Sequence, residues 1–216
     1  LSSLGNNRDL AGMAVYGGGT NSRVFWTNAG QINVNSTSNN ASATVSAGFI
    51  RGRSQADVVN TGTLTVSELS GNTELSGLRV YMEGGSTVPA SATLTNSGTI
   101  LVSSPTASFA SGVEMRQVAA NSGGLPSSFK LNNSGTIKLD IDPTKGYVVD
   151  LVPNSVANVS FDINNSGALL AKDSSGWAVG LNGDATQTAK VTLNNTGTIV
   201  GNIWTESGND QVTQTA

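Results

Sequence analysis

The chain contains no cysteine and no histidine. Without thiols it can form no disulfide and offers no thiolate, and without imidazole the usual zinc sites and the common general base are missing too. A serine–histidine hydrolase is therefore excluded, and no G-x-S-x-G elbow occurs among the many serines. Charge is scarce as well. Charged residues make up 12% of the 216, and the net charge is −3, with a charged share about half that of an average globular protein. The six arginines and five lysines are scattered, and Arg51-Gly52-Arg53 is too small to form a footprint for nucleic acid. No apolar run approaches the roughly 20 residues that cross a bilayer. The opening Leu1-Ser2-Ser3 has neither the charged nor the apolar region of a secretion leader, so the chain reads as a mature soluble protein or as a piece of a longer one. Sustained helical periodicity is missing too.

What is present is glycine, at 26 copies, with abundant serine, threonine and asparagine, a composition of short strands and turns. One phrase organises it. Asn-x-Gly recurs at Asn28-Ala29-Gly30, Asn60-Thr61-Gly62, Asn96-Ser97-Gly98, Asn133-Ser134-Gly135, Asn165-Ser166-Gly167 and Asn195-Thr196-Gly197, with glycine spacings of 32, 36, 37, 32 and 30. A period in that range marks a stacked repeat, in which each unit contacts only its neighbours, so chain length fixes no domain count.

Each period reads as three short strands. After the glycine, side chains two and four residues on point the same way. They are Ile32, Leu64, Ile100, Ile137, Leu169 and Ile199, then Val34, Val66, Val102, Leu139, Ala171 and Gly201. The parity continues backwards through the turn: four residues ahead of each glycine stand Trp26, Val58, Leu94, Leu131, Ile163 and Leu193, and six ahead stand Val24, Ala56, Ala92, Phe129, Phe161 and Val191. The residues between them, such as Thr93, Lys130, Asp162 and Lys190, are polar and belong on a solvated face.

A second glycine series, Gly12, Gly48, Gly77, Gly112, Gly146 and Gly176, marks the third strand. Aligned on it, Met13, Phe49, Leu78, Val113, Tyr147 and Trp177 form one inward column, and Val15, Val80, Met115, Val149 and Val179 most of another. Arg51 interrupts the second column, which predicts a local bulge, a register change or an unusually open coil there. Stretches rich in Ser, Asn, Gly or Pro at Asn35–Thr44, Ser67–Ser76, Glu83–Ala90, Ser103–Ser111 and Gln117–Ser127 read as loops that absorb the varying repeat length.

Three strands per repeat, stacked in register, describe an all-β fold: a right-handed, three-faced parallel β-helix of about six coils of 30–37 residues, with residues 1–216 forming a single segment. At about 4.8 Å per coil the rod is roughly 25–30 Å long. The asparagines of the repeat, Asn28, Asn60, Asn96, Asn133, Asn165 and Asn195, share parity with the apolar columns, so they point inward at a corner and stack into an amide ladder. The glycine beside each suits a corner that needs positive φ or a close backbone approach.

The phrases Leu94-Thr95-Asn96-Ser97-Gly98-Thr99-Ile100, Leu131-Asn132-Asn133-Ser134-Gly135-Thr136-Ile137 and Leu193-Asn194-Asn195-Thr196-Gly197-Thr198-Ile199 resemble the passenger domains of bacterial autotransporters, the type V secreted proteins. The ending from Gly197 to Ile203, followed by Ser207-Gly208-Asn209-Asp210, is similar to coils those passengers carry towards their C-terminal barrel. The resemblance covers residues 12 to 210. It implies a segment of a longer passenger, secreted or displayed at the Gram-negative cell surface, attached to the outer membrane only through a barrel outside this segment. Such passengers cross the membrane unfolded and fold outside without ATP, which suits a cysteine-free chain built from local coils.

Function is sought on the outside of the coil. The outward positions of the third strand, Tyr16, Arg79, Tyr81, Glu114, Arg116 and Asp150, form a stripe of aromatic and charged groups, with Tyr and Arg the residues favoured at binding hot spots. The expected partner is a host surface receptor or glycan, or another copy of the chain, and the expected role is adhesion or self-association. A passive stalk carrying a separate effector such as a protease is the alternative, and a polysaccharide-active enzyme a remoter one. For the enzyme, Asp140 and Asp142 are alternate residues on one outward side, but Asp150 and Asp162 belong to other strands and faces, and a glycosidase needs two carboxyls about 5–9.5 Å apart. Gly208-Asn209-Asp210 is a single copy of a calcium nonapeptide that binds only in tandem. No catalytic residue, cofactor or metal is expected, and no nucleic acid.

Overall fold

The computed structural model describes residues 10–19, 21–37, 43–69, 71, 73–83, 89–118, 125–153, 158–183, 189–206 and 208–215. Among these residues the secondary structure is all strand, and no helix is long and apolar enough to cross a membrane. The strands stack as a parallel β-helix with three faces.

Sheet A holds seven described strands: β1 (Leu10–Tyr16), β4 (Thr44–Gly52), β7 (Glu74–Met82), β10 (Phe109–Gln117), β13 (Gly146–Val152), β16 (Trp177–Leu181) and β19 (Asn202–Trp204). Sheet B also holds seven: β2 (Arg23–Asn28), β5 (Gln55–Asn60), β8 (Ser91–Asn96), β11 (Ser127–Asn133), β14 (Val159–Asn165), β17 (Ala189–Asn195) and β20 (Gln211–Gln214). Sheet C holds six: β3 (Gln31–Ser36), β6 (Thr63–Glu68), β9 (Thr99–Ser103), β12 (Thr136–Asp140), β15 (Ala168–Leu170) and β18 (Thr198–Val200). The chain passes A to B to C and then returns to A one level along, so strands adjacent within a sheet come from successive coils and every pairing is parallel.

The columns beside Asn-x-Gly form the core. Trp26, Val58, Leu94, Leu131, Ile163 and Leu193 are buried in sheet B, and Leu64, Ile100, Ile137 and Leu169 in sheet C, in one continuous cluster. Phe129 and Phe161, paired in register, stack with ring centroids 5.2 Å apart. Because the corner between B and C always holds two residues, the register of one sheet fixes that of the other.

The corner itself is an unbroken ladder. Each asparagine donates from Nδ2 to Oδ1 of the next: Asn28 to Asn60 at 2.8 Å, Asn60 to Asn96, Asn96 to Asn133 and Asn133 to Asn165 at 2.7 Å, and Asn165 to Asn195 at 2.6 Å. Asn195 donates in turn to Gln214. The second hydrogen of each Nδ2 goes to the carbonyl of the corner glycine two residues on, as in Asn60 to Gly62 at 3.3 Å. Positive φ is not the reason for the glycines, since among the described glycines only Gly71 and Gly201 adopt it. Close approach is. A Cβ on Gly98 would lie 2.0 Å from the Gly62 carbonyl oxygen, and the same clash recurs at Gly62, Gly135, Gly167 and Gly197.

Sheet A departs from the sequence reading in two ways. First, its register departs from the glycine alignment by one residue at β4, where Gly48 pairs with Leu78, Phe49 with Arg79 and Arg51 with Tyr81, and by two at β13, where Gly146 pairs with Ala110, Tyr147 with Ser111 and Val149 with Val113. Arg51 therefore stands on the outer face in an unbroken register, with no bulge, and Ile50 is the buried residue in its place. Second, two consecutive positions are buried in β4, β7, β10, β13 and β16, Gly77-Leu78 and Val148-Val149 for example, which inverts the parity on one side. Phe49, through the register, and Tyr147 and Trp177, through the inverted parity, lie among the outer rings, in edge or tilted contact with Tyr81, Phe109 and Trp204, while Met13 keeps the inward position in register with Gly48 and is 46% exposed on the end strand β1. The A strands also extend into the expected loops: β4 starts at Thr44, β7 at Glu74 and β10 at Phe109. The segments 38–42, 84–88 and 119–124 of those loops lie outside the described residues.

Candidate functional site

The outer side of sheet A carries two rows of side chains running along the axis. Strand pairing sets Tyr16, Arg51, Tyr81 and Arg116 side by side in one row, and Phe49, Arg79, Glu114 and Asp150 in the next. All six residues of the expected stripe, Tyr16, Arg79, Tyr81, Glu114, Arg116 and Asp150, lie on these rows. They are not a uniformly solvated face, however. Tyr16 is 65% exposed, whereas Arg79, Glu114 and Asp150 are 5%, 1% and 1% exposed. Parity tells which side of a sheet a residue takes, but not whether long neighbours fold over it, and here they do. Tyr147 shows the effect plainly, its ring lying where a Cβ on Gly180 would be.

Glu114 is the hub. Its oxygens receive the Tyr81 hydroxyl at 3.0 and 3.1 Å and form ion pairs with Arg79 Nε at 3.0 Å and Arg116 Nε at 2.8 Å. Arg79 Nε also donates to Ser76 Oγ at 3.0 Å, and its Nη2 lies 3.2 Å from Glu74. The guanidiniums of Arg79 and Arg116 sit over the Tyr81 ring at 5.9 and 5.3 Å from its centroid, a cation–π arrangement. Burial raises the Tyr81 hydroxyl above its ordinary pKa, against the pull of Arg79. Outside the cluster, Arg51 is held at 2.5 Å by Glu83, which also takes Arg53 at 2.8 Å.

Asp150 lies in register with Glu114, and neither of its oxygens has an aligned donor among the described residues. Burial holds its pKa well above the ordinary carboxylate value, the Glu114 charge pushes the same way, and Arg116 and a weaker contact from Asn182 pull against both. A neutral Asp150 leaves two carboxylates, Glu74 and Glu114, facing two guanidiniums. Its effect on stability follows from linkage. The native chain keeps a proton on Asp150 that the unfolded chain releases near pH 3.9. Stability from this site is thus complete below that pH and falls as pH rises towards the native pKa, by at most about 1.4 kcal/mol per pH unit. Asp150→Asn, which cannot ionise, is expected to raise the denaturant midpoint more at pH 8 than at pH 5. An equal shift at both would contradict the assignment.

Over the first strands the rows border a groove of about 450 Å³, lined by Tyr16, Phe49, Tyr81, Glu74, Arg79 and Arg116 together with smaller residues of β1 and β4. A second, shallower groove of about 310 Å³ runs outside the corner, between Thr95, Asn132, Asn164 and Asn194. There Asn164 donates to Asn132 at 3.3 Å and Asn194 to Asn164 at 3.1 Å, so the amides largely satisfy one another.

The acids considered for catalysis do not converge. Asp140 is on sheet C, 3.9 Å from Lys172; Asp162 is on sheet B, 3.8 Å from Lys130; Asp150 is on sheet A. Asp142 is engaged by the backbone and hydroxyl of Thr144, and Asp210 accepts from Val191 N at 2.8 Å. Among the described residues no three acidic groups are placed to hold a metal. The features that sequence reasoning missed were the outer aromatics Phe49, Phe109, Tyr147, Trp177 and Trp204, and Gln214 as the seventh member of the ladder. The only signal for Gln214 was its chemistry, because it follows Asn195 by 19 residues and not by a full period.

Comparison of the chain with protein-family models, with curated proteins and with solved structures finds no match.

Proposed function

We propose that the chain is a segment of an autotransporter passenger, secreted or displayed at the Gram-negative cell surface, and that it acts in adhesion or self-association through the outer face of sheet A. The observation that carries this reading is the row Tyr16, Arg51, Tyr81 and Arg116, in which aromatic and cationic side chains alternate from coil to coil. These are the residue types that dominate binding energy at interfaces, and a regular parallel stack presents them at a fixed spacing of about 4.8 Å. The cysteine-free sequence and the coil-by-coil core support the secretion route, since each coil can fold onto the one before it. Attachment to a membrane belongs to a barrel outside this segment.

The test uses beads coated with the protein at equal density to beads coated with albumin. Clumping of the protein-coated beads, or their retention on epithelial cells, is the expected result. If they neither clump nor adhere above the albumin control, the adhesion reading fails and a passive stalk takes its place.

A further inference from the structure

The groove above β1, β4 and β7 has a composition that adhesion in general does not explain. Its aromatic lining comes from Tyr16, Phe49 and Tyr81, whose rings meet edge-on with centroids 5.5 and 5.1 Å apart. Tyr16 leaves most of its surface uncovered. The face of an aromatic ring is electron-rich, so it attracts the weakly positive C–H edges that a pyranose ring presents on its own face.

The polar lining has more donors than acceptors. Two guanidiniums bring ten N–H groups between them. Glu114 is already occupied by Tyr81, Arg79 and Arg116. Arg79 Nη2 is buried at 3.2 Å from Glu74 without hydrogen-bond alignment, and Arg116 Nε is likewise unaligned at 2.8 Å from Glu114. The Arg116 side chain remains 36% exposed. The half-open Arg116 guanidinium suits a ligand that brings acceptors, and a carboxylate is the group whose two oxygens match a guanidinium fork. The row from Tyr16 to Arg116 spans three strand steps, about 14 Å, the reach of a short oligosaccharide.

We propose that this groove binds a carboxylated saccharide, its rings covering Tyr16 and Phe49 and its carboxylate accepting from the exposed side of Arg116. The assignment deepens the adhesion reading of the same face and rests on it for biological context. A saccharide fits better than a second copy of the chain because the recess of about 450 Å³ between Tyr16, Phe49 and Arg116 admits a narrow ring and not a broad sheet face.

The test titrates digalacturonate, and separately its neutral dimethyl ester, into isotopically labelled protein while nuclear magnetic resonance shifts are followed. The acid is expected to move the signals of Tyr16, Phe49 and Arg116 and to bind at least about tenfold tighter than the ester. Arg116→Gln should bring the acid down to the level of the ester, and Tyr16→Ser, at an exposed position that leaves the charge cluster intact, should weaken both. The proposal is overturned if the acid moves no signal at millimolar concentration, if acid and ester bind alike, or if the shifts fall on Asn132, Asn164 and Asn194. Coated beads that adhere while the saccharide fails to bind would remove this assignment and leave adhesion standing. Saccharide binding by a protein whose beads do not adhere would do the reverse.

Discussion

Gly98→Ala is expected to destabilise the chain by about 4 kcal/mol, at the upper end of what single substitutions do. The added Cβ would lie 2.0 Å from the Gly62 carbonyl oxygen and 2.7 Å from the Thr61 carbonyl carbon, so both obstacles are backbone and neither can swing aside. That carbonyl is also in use, accepting from Thr99 N at 2.9 Å. Relief therefore requires separating two coils, which breaks ladder bonds on either side of the corner. Because stability in a stack is shared between neighbours, the damage should concentrate at the junction of β5 and β6 with β8 and β9. Hydrogen exchange should show those amides losing protection first. Gly30→Ala supplies the control. Gly30 begins the column with nothing within 4 Å of its Cβ position, so the same substitution there is expected to shift stability by less than about 0.5 kcal/mol. Equal effects at the two positions would show that the clash is not the reason for the glycine.

Asn133→Ala is expected to cost about 3 kcal/mol, read as a fall in the denaturant midpoint at constant slope. The substitution removes the bond received from Asn96 and the one given to Asn165, both 2.7 Å, together with the donations to the Gly135 and Ala168 carbonyls at 3.3 Å. It leaves the Asn96 amide hydrogen and the Asn165 oxygen buried without partners, and a buried polar group so stranded costs about 1–3 kcal/mol. Asn28→Ala, at the end of the ladder, breaks the single rung to Asn60 and should cost about half as much. A loss at Asn133 no greater than at Asn28 would mean that the rungs do not act as a chain.

These two sites were the most legible part of the sequence, for a physical reason. The corner between sheets B and C has constant length, so parity counted from the glycine reaches Trp26 and Leu94 on one side and Leu64 and Ile100 on the other, and all four are buried. Sheet A follows segments of varying length, and nothing of fixed size ties it to the repeat. Aligning its glycines put Gly48 beside Gly77, whereas steric fit puts it beside Leu78, whose Cδ1 would lie 2.5 Å from a Cβ at Gly48. That one-residue slip misplaced Phe49 and Arg51. The members of the candidate site could be picked out because opposite parity marks the outer side of the strand. Their burial could not, because it comes from Tyr81, Arg116 and Tyr147 folding across the face, which no alternation of residue types records. The raised pKa of Asp150 is a product of that covering and was equally hidden.

We propose a division of labour in which the Asn-x-Gly corner holds the stack and the outer face of sheet A serves adhesion. Bead adhesion tests it most directly when two variants are compared at matched thermal stability. The first, Tyr16→Ser with Arg116→Gln, alters the face of sheet A. The second, Asn132→Ser with Asn164→Ser and Asn194→Ser, alters the outer amides beside the corner. Loss of adhesion in the first and its retention in the second is the predicted result. Retention in the first with loss in the second would place recognition at the corner and contradict the account.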